Sequence, residues 1–158
     1  MREQTCCFTG HRLIPAYEKE RLNAELLTSI ASLIQKGVTC FRNGGALGFD
    51  TAAALAVLDI KRNHPAISLI MDLPCQNQAR GWKKSDRAVY DFILSSADEV
   101  HFLAPHYYNG CMQLRNRHMV DRSAYLIAYQ TSPAGGSAYT VRYAQEQGLT
   151  LIRLGNHQ

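Results

Sequence analysis

Long apolar runs are missing from this chain of 158 residues: none approaches the roughly 18 to 20 residues that cross a bilayer. The start, Met1-Arg2-Glu3-Gln4, also lacks the apolar segment of a secretory signal, so a cytoplasmic location without membrane contact is expected. Five cysteines, at positions 6, 7, 40, 75 and 111, form an odd set without Cys-x-x-Cys spacing, which argues against a disulfide framework and against structural zinc. Reduced thiols are expected. Cys6, Cys7 and Cys40 read as small core residues of strands, whereas Cys75 and Cys111, near loops or helix starts, remain weak candidates for reactivity. Neither Gly-x-Gly-x-x-Gly nor Gly-x4-Gly-Lys-Ser/Thr occurs, so the ordinary dinucleotide and NTPase fingerprints are absent. No repeat, low-complexity tract or interdomain linker interrupts the chain, and 46% hydrophobic residues suffice for one domain over 1–158. A metal site has no support, because His106 with Cys111 is too sparse a pair. A net charge of +4 is too small to imply nucleic-acid binding by itself.

What is present alternates regularly. Thr5 to Thr9 is an apolar run ending at Gly10, the pattern of a buried strand. Leu22, Leu26, Leu27, Ile30, Leu33 and Ile34 recur at three and four residues, which predicts a helix over Glu18 to Gln35 stopped by Gly37. Strands are expected at Val38 to Arg42, Ala66 to Leu73, Asp98 to Ala104, Ser123 to Tyr129 and Leu149 to Leu154. Helices are expected at Ala52 to Ile60, at Ser85 to Ser95 with Ser85 as N-cap and Ala88, Phe92 and Ile93 inward, at Asn109 to Arg122, and at Ala138 to Gln147. Cys75 to Lys84 reads as a long loop, a common home of function. Strands that alternate with helices require crossover connections, hence an α/β, Rossmann-like doubly wound, mostly parallel sheet of about six strands with helices on both faces. In such sheets ligands bind beyond the carboxyl ends of the strands, and the loops after the strands should gather there.

The most informative segment is Asn43-Gly44-Gly45-Ala46-Leu47-Gly48-Phe49-Asp50, between a strand and a helix. Glycines let a ligand approach bare backbone N–H groups, and the helix start adds the positive end of its dipole. Asp50, in the first turn, can cap the helix or accept a hydrogen bond from a ligand hydroxyl. The plainer reading, two glycines shaping a tight turn, stands beside this one. A second glycine turn, Pro133-Ala134-Gly135-Gly136-Ser137, forms another backbone nest with a hydroxyl. Arginines outnumber the lysines at 19, 36, 61, 83 and 84, which favours phosphate recognition by guanidinium forks.

Four segments taken together, Cys7-Phe8-Thr9-Gly10-His11-Arg12, Gly44 to Asp50, Arg115-Asn116-Arg117-His118-Met119-Val120-Asp121 and Gly135-Gly136-Ser137-Ala138-Tyr139, resemble the YpsA-like branch of the SLOG superfamily. The resemblance covers nearly the whole chain and implies a Rossmann-like fold binding a nucleotide or nucleotide-derived ligand. Relatives it brings in are DNA-processing protein A, which binds single-stranded DNA, and the "lonely guy" phosphoribohydrolases. The hydrolases share Pro-Gly-Gly-x-Gly-Thr-x-x-Glu; here that glutamate's position holds Arg142, and Glu146 lies a turn further on. Glycosidic cleavage needs a carboxylate, so the missing acid argues against that reaction and leaves the question of an enzyme open.

The expected ligand-binding set is therefore Thr9, Gly10, His11 and Arg12 after the first strand; Gly44, Gly45, Ala46, Gly48 and Asp50; Trp82; Arg115 and Asn116; and Gly135, Gly136, Ser137 and Tyr139. Arg12 can hold two phosphate oxygens. Trp82 or Tyr139 would lie beside a base, although Trp82 reads equally well as an aromatic pinning its loop. Arg117 and Asp121 are spaced for a structural pair, and Met119 and Val120 for the core. Ser137 is no nucleophile, since no Gly-x-Ser-x-Gly elbow surrounds it. The leading expectation is binding or sensing of a nucleotide-derived ligand with no cofactor required. Nucleoside-phosphate hydrolysis and single-stranded nucleic-acid binding remain as alternatives, and homo-oligomerisation is compatible with the resemblance.

Overall fold

The computed structural model describes residues 1–132 and 134–155. Six parallel strands, β1 (Thr5–Gly10), β2 (Cys40–Asn43), β3 (Ser68–Leu73), β4 (Glu99–Phe102), β5 (Tyr125–Tyr129) and β6 (Thr150–Arg153), form one sheet. They lie in the order β4-β3-β2-β1-β5-β6, all pairs parallel. The chain steps outward from β1 to β4, then returns to place β5 on the other side of β1. That reversal opens a crevice beyond the carboxyl ends of β1 and β5.

Five helices cover the sheet: α1 (Lys19–Gln35), α2 (Phe49–Lys61), α3 (Lys84–Ser96), α4 (Cys111–Asp121) and α5 (Gly136–Glu146). Successive strand residues point to opposite faces, so the adjacent Cys6 and Cys7 enter different cores. Cys6 joins Phe8, Phe41 and the inward faces of α1, α2 and α3. Cys7 joins Met119 and Val120 of α4 and Val141 and Ala144 of α5. On this second face Asp72, fully buried, holds Arg42 through both carboxylate oxygens at 3.0 and 2.9 Å. His118 of α4 brings Nε2 to 3.6 Å from the same carboxylate. Burial holds the His118 imidazole below its usual range, against the opposing pull of Asp72. No helix among the described residues is long and apolar enough to cross a membrane.

Several expectations are corrected. Ser85 does not cap α3; the helix begins at Lys84 with Lys83 as its N-cap. Ala88 is exposed and Phe92 is 56% exposed. Their positions lie two residues either side of Tyr90, about 200° around the helix, and Tyr90 is turned inward by edge-on packing against Trp82. Arg117 and Asp121 do not form the expected pair: the Arg117 guanidinium lies 4.8 Å above the Tyr143 ring, while Asp121 accepts the Tyr143 hydroxyl hydrogen at 2.6 Å. Cys75 and Cys111 are buried rather than poised for reaction. Burial pushes the Cys75 thiol up, as it does those of Cys6, Cys40 and Cys7, the last to about 12.

Candidate functional site

The turn after β2 is ordered from within. Asn43, fully buried, accepts the Gly45 N–H at 2.8 Å through Oδ1 and donates through Nδ2 to the Asp50 carbonyl at 2.8 Å. Ala46 N–H donates to Asp50 Oδ2 at 3.2 Å, Thr51 Oγ1 donates to the Ala46 carbonyl at 3.0 Å, and Phe49 N–H donates to the His11 carbonyl at 3.0 Å. The N–H groups of Gly45, Ala46 and Phe49 are thus committed to the protein. Those three donors are not available to a phosphate in this arrangement. The glycines serve close packing instead: a Cβ at Gly44 would run into the Arg115 guanidinium, one at Gly45 would meet Leu73 Cδ2 at 2.6 Å, and one at Gly48 would strike the Arg12 backbone.

Two opposite charges lie under this turn. Arg115, 4% exposed, donates through Nη1 to the Gly44 carbonyl, through Nε to Asn116 Oδ1 at 2.7 Å and through Nη2 to Met112 Sδ at 3.6 Å. Three of its five N–H groups are engaged, which leaves two donors and the charge at the cavity wall. Asp50, 6% exposed, has Oδ1 buried with no hydrogen-bond partner among the described residues. Burial raises its carboxyl to about 6, opposed by the Arg115 charge, the Ala46 N–H and Arg12. A carboxylate that gains and loses its proton near neutrality, one oxygen unsatisfied, is suited to receive or donate a hydrogen bond at a ligand oxygen.

The open nest is the second glycine turn. Gly135, at φ +101°, precedes α5, and a Cβ at Gly135 or Gly136 would meet nothing within 4 Å. The first turn of α5 carries the N–H groups and the positive dipole end that any helix start offers, and its residues Gly136 and Ser137 line a cavity. A cavity of about 310 Å³ lies against it, walled by Thr9, Gly10, His11, Arg12, Ala46, Asp50, Met112, Arg115, Asn116, Ala134, Gly135, Gly136 and Ser137. It occupies the crevice created by the β1–β5 reversal. Arg12 is exposed on its rim. His11 is anchored: Nε2 accepts the Thr131 N–H at 2.7 Å, and its ring stands edge-on to Tyr129 at 5.5 Å. Nε2 thus presents a lone pair, and the neutral imidazole carries its proton on Nδ1.

Most of the expected site residues meet in this cavity, from three segments far apart in sequence and from Ala46 and Asp50. Gly44, Gly45 and Gly48 lie behind its wall. Trp82 packs on Tyr90 against the larger core and is not part of the wall, because the Cys75 to Lys84 loop turns back over α3. Tyr139 is half-buried on α5 and is likewise not part of the wall. Pro133 lies outside the described residues. Two contributors were missed: Met112, one turn before Asn116, and Asn43, whose signal was an Asx residue directly before paired glycines. Among the described residues no group of three His, Cys, Asp or Glu is placed to hold a metal ion.

The chain is similar to known proteins in sequence and in fold. A family model described as the YspA SLOG family matches residues 16–151. The chain belongs to this SLOG family. A UPF0398 protein of Halalkalibacterium halodurans is 33% identical over 141 residues, 87% of this chain and 72% of that protein. DNA processing protein A of Streptococcus pneumoniae superposes with a TM-score of 0.70 at 18% identity over 96% of this chain, which spans 50% of that structure. The same protein of Helicobacter pylori, described for its single-stranded DNA binding mode, gives 0.67 at 23% identity over 99% of this chain and 67% of its own. At these identities the structural likeness establishes the SLOG fold, while function rests on the site.

Proposed function

We propose that this SLOG chain binds or senses a nucleotide-derived ligand whose phosphate lies against the first turn of α5, between Arg12 and Arg115. The observation that carries the reading is the cavity itself: an unobstructed helix start and two guanidiniums on one crevice at the strand reversal. Asp50, in the cavity wall, would pair with a ligand hydroxyl, such as one on ribose. Five free cysteines fit a cytoplasmic home. The test is native mass spectrometry of the freshly purified chain, with denaturing release of any passenger, beside titration with nucleoside monophosphates. A nucleotide mass retained by the wild type and lost in Arg12→Ala supports the reading. It falls if no nucleotide binds, and steeply salt-dependent binding of oligonucleotides would put a nucleic-acid role in its place.

A second reading is favoured by Asp50 alone, whose carboxyl, raised to about 6 by burial, lies in the cavity wall and could serve as a general acid. In it the chain hydrolyses a nucleoside phosphate, with Asp50 in place of the absent glutamate. Release of free base and ribose phosphate on prolonged incubation, abolished in Asp50→Asn, is the expected result; intact substrate excludes it.

A further inference from the structure

Beyond the His11-Arg12 pair lies a second, larger cavity of about 640 Å³. It shares those two residues with the phosphate cavity, and its other surfaces include Leu13, Pro15, Tyr17 and Tyr129. We propose that this compartment seats the base of the same nucleotide, with the ring lying on Tyr17 and the phosphate reaching past Arg12 to α5. The proposal rests on the phosphate reading given above.

The chemistry of the compartment differs from that of its neighbour in the way a two-part ligand requires. The phosphate cavity has backbone N–H groups and guanidiniums, whereas this one has aromatic and aliphatic surface with a few polar groups at its margin. Tyr17 is 87% exposed and no ring among the described residues stacks on it, so its face is available. It sits in a short 3₁₀ turn, Ala16–Glu18, led by Pro15, whose fixed φ of −56° limits movement of the segment. The Tyr129 side of the compartment is tied to the same segment. The Tyr129 hydroxyl donates to Glu18 Oε2 at 2.7 Å and stays protonated, its acidity pushed to about 12 by burial and by that carboxylate. His11, locked by Thr131, forms the partition. Glu18, which accepts from Tyr129, and Thr131, whose hydroxyl lies 3.1 Å from His11 Nε2, line the same compartment and give it polar groups for the edge of a base. Aromatic stacking tolerates any base, so the compartment selects a heterocycle as a class.

The experiment is calorimetric titration of the full chain, as wild type, Tyr17→Ala and Tyr17→Phe, with AMP, GMP, CMP and UMP in turn and with inorganic pyrophosphate. Tyr17 is exposed, so neither substitution should disturb folding. The expected result is that at least one nucleotide binds the wild type more tightly than pyrophosphate, that Tyr17→Ala weakens it about tenfold while pyrophosphate is unaffected, and that Tyr17→Phe retains both affinities. Unchanged nucleotide binding in Tyr17→Ala, or a nucleotide that binds no better than pyrophosphate, overturns the base compartment and leaves the phosphate reading standing. Equal weakening of both probes overturns it too, since Tyr17 would then act through the phosphate cavity. If neither probe binds the wild type, the phosphate reading fails and this inference fails with it.

Discussion

Arg115 and Gly44, 71 residues apart, occupy one space: the guanidinium donates to the Gly44 carbonyl and lies where any side chain at position 44 would be. Gly44→Ala must therefore displace the arginine. Overpacking of this kind costs about 1 to 3 kcal/mol. We expect that loss in denaturant unfolding, accompanied by a fall of tenfold or more in nucleotide affinity. Wild-type affinity in a destabilised Gly44→Ala would show that Arg115 takes no part in binding.

Asp50 makes folding sensitive to pH in a defined direction. Its carboxyl is raised in the folded state from 3.8 to about 6, so the folded chain holds this proton more tightly than the unfolded one. Its contribution is fully present below about pH 4 and is lost as pH rises through about 6. Ionisation there is worth on the order of 2 to 3 kcal/mol. Asp50→Asn, which removes that charge, should raise the melting temperature at pH 8 and flatten the stability profile between pH 4 and 6. A mutant as pH-dependent as the wild type in that window would assign the titration to another group.

The Asp72 carboxylate is fully buried with Arg42 on two oxygens, and Arg42 Nε is buried with no partner among the described residues. Removing one member of a buried pair strands the other, at about 3 to 5 kcal/mol, whereas an apolar replacement of both can be neutral. Asp72→Ala should lose that much by urea unfolding, and the double variant Arg42→Met with Asp72→Leu should recover most of it. Equal losses in both would assign the effect to packing of α4 instead of charge.

Four of the five thiols are buried and only Cys40 is partly exposed. With its own thiol raised by burial, Cys40 should react slowly. Colorimetric titration with an aromatic disulfide at pH 7.5 should label no more than one thiol of the folded chain and all five in denaturant. Rapid labelling of two or more in the folded chain would contradict the burial of Cys75 or Cys111.

The six strands, the five long helices and the carboxyl-edge placement of Thr9 to Arg12, Arg115 and Gly135 were legible in the residues, because periodicity and glycine breaks are local signals. Boundaries shifted by one to three residues where tertiary packing chose the end of an element. Helix α3 was misread at Ala88 and Phe92, since an edge helix with more apolar residues than it can bury does not announce which ones turn inward.

Sequence alone determined that this chain builds a doubly wound parallel sheet and brings an arginine-rich, glycine-lined edge to one side. Only the tertiary structure decided that the N–H groups of Gly45, Ala46 and Phe49 meet Asn43, Asp50 and His11, while the start of α5 lines the cavity. It also decided that Asp50 titrates near neutrality and that Trp82 belongs to the core side of its loop. The physical reason is common to all of these: burial, dielectric and the availability of a backbone donor depend on distances between residues that are remote in the chain, and local pattern carries no record of those distances.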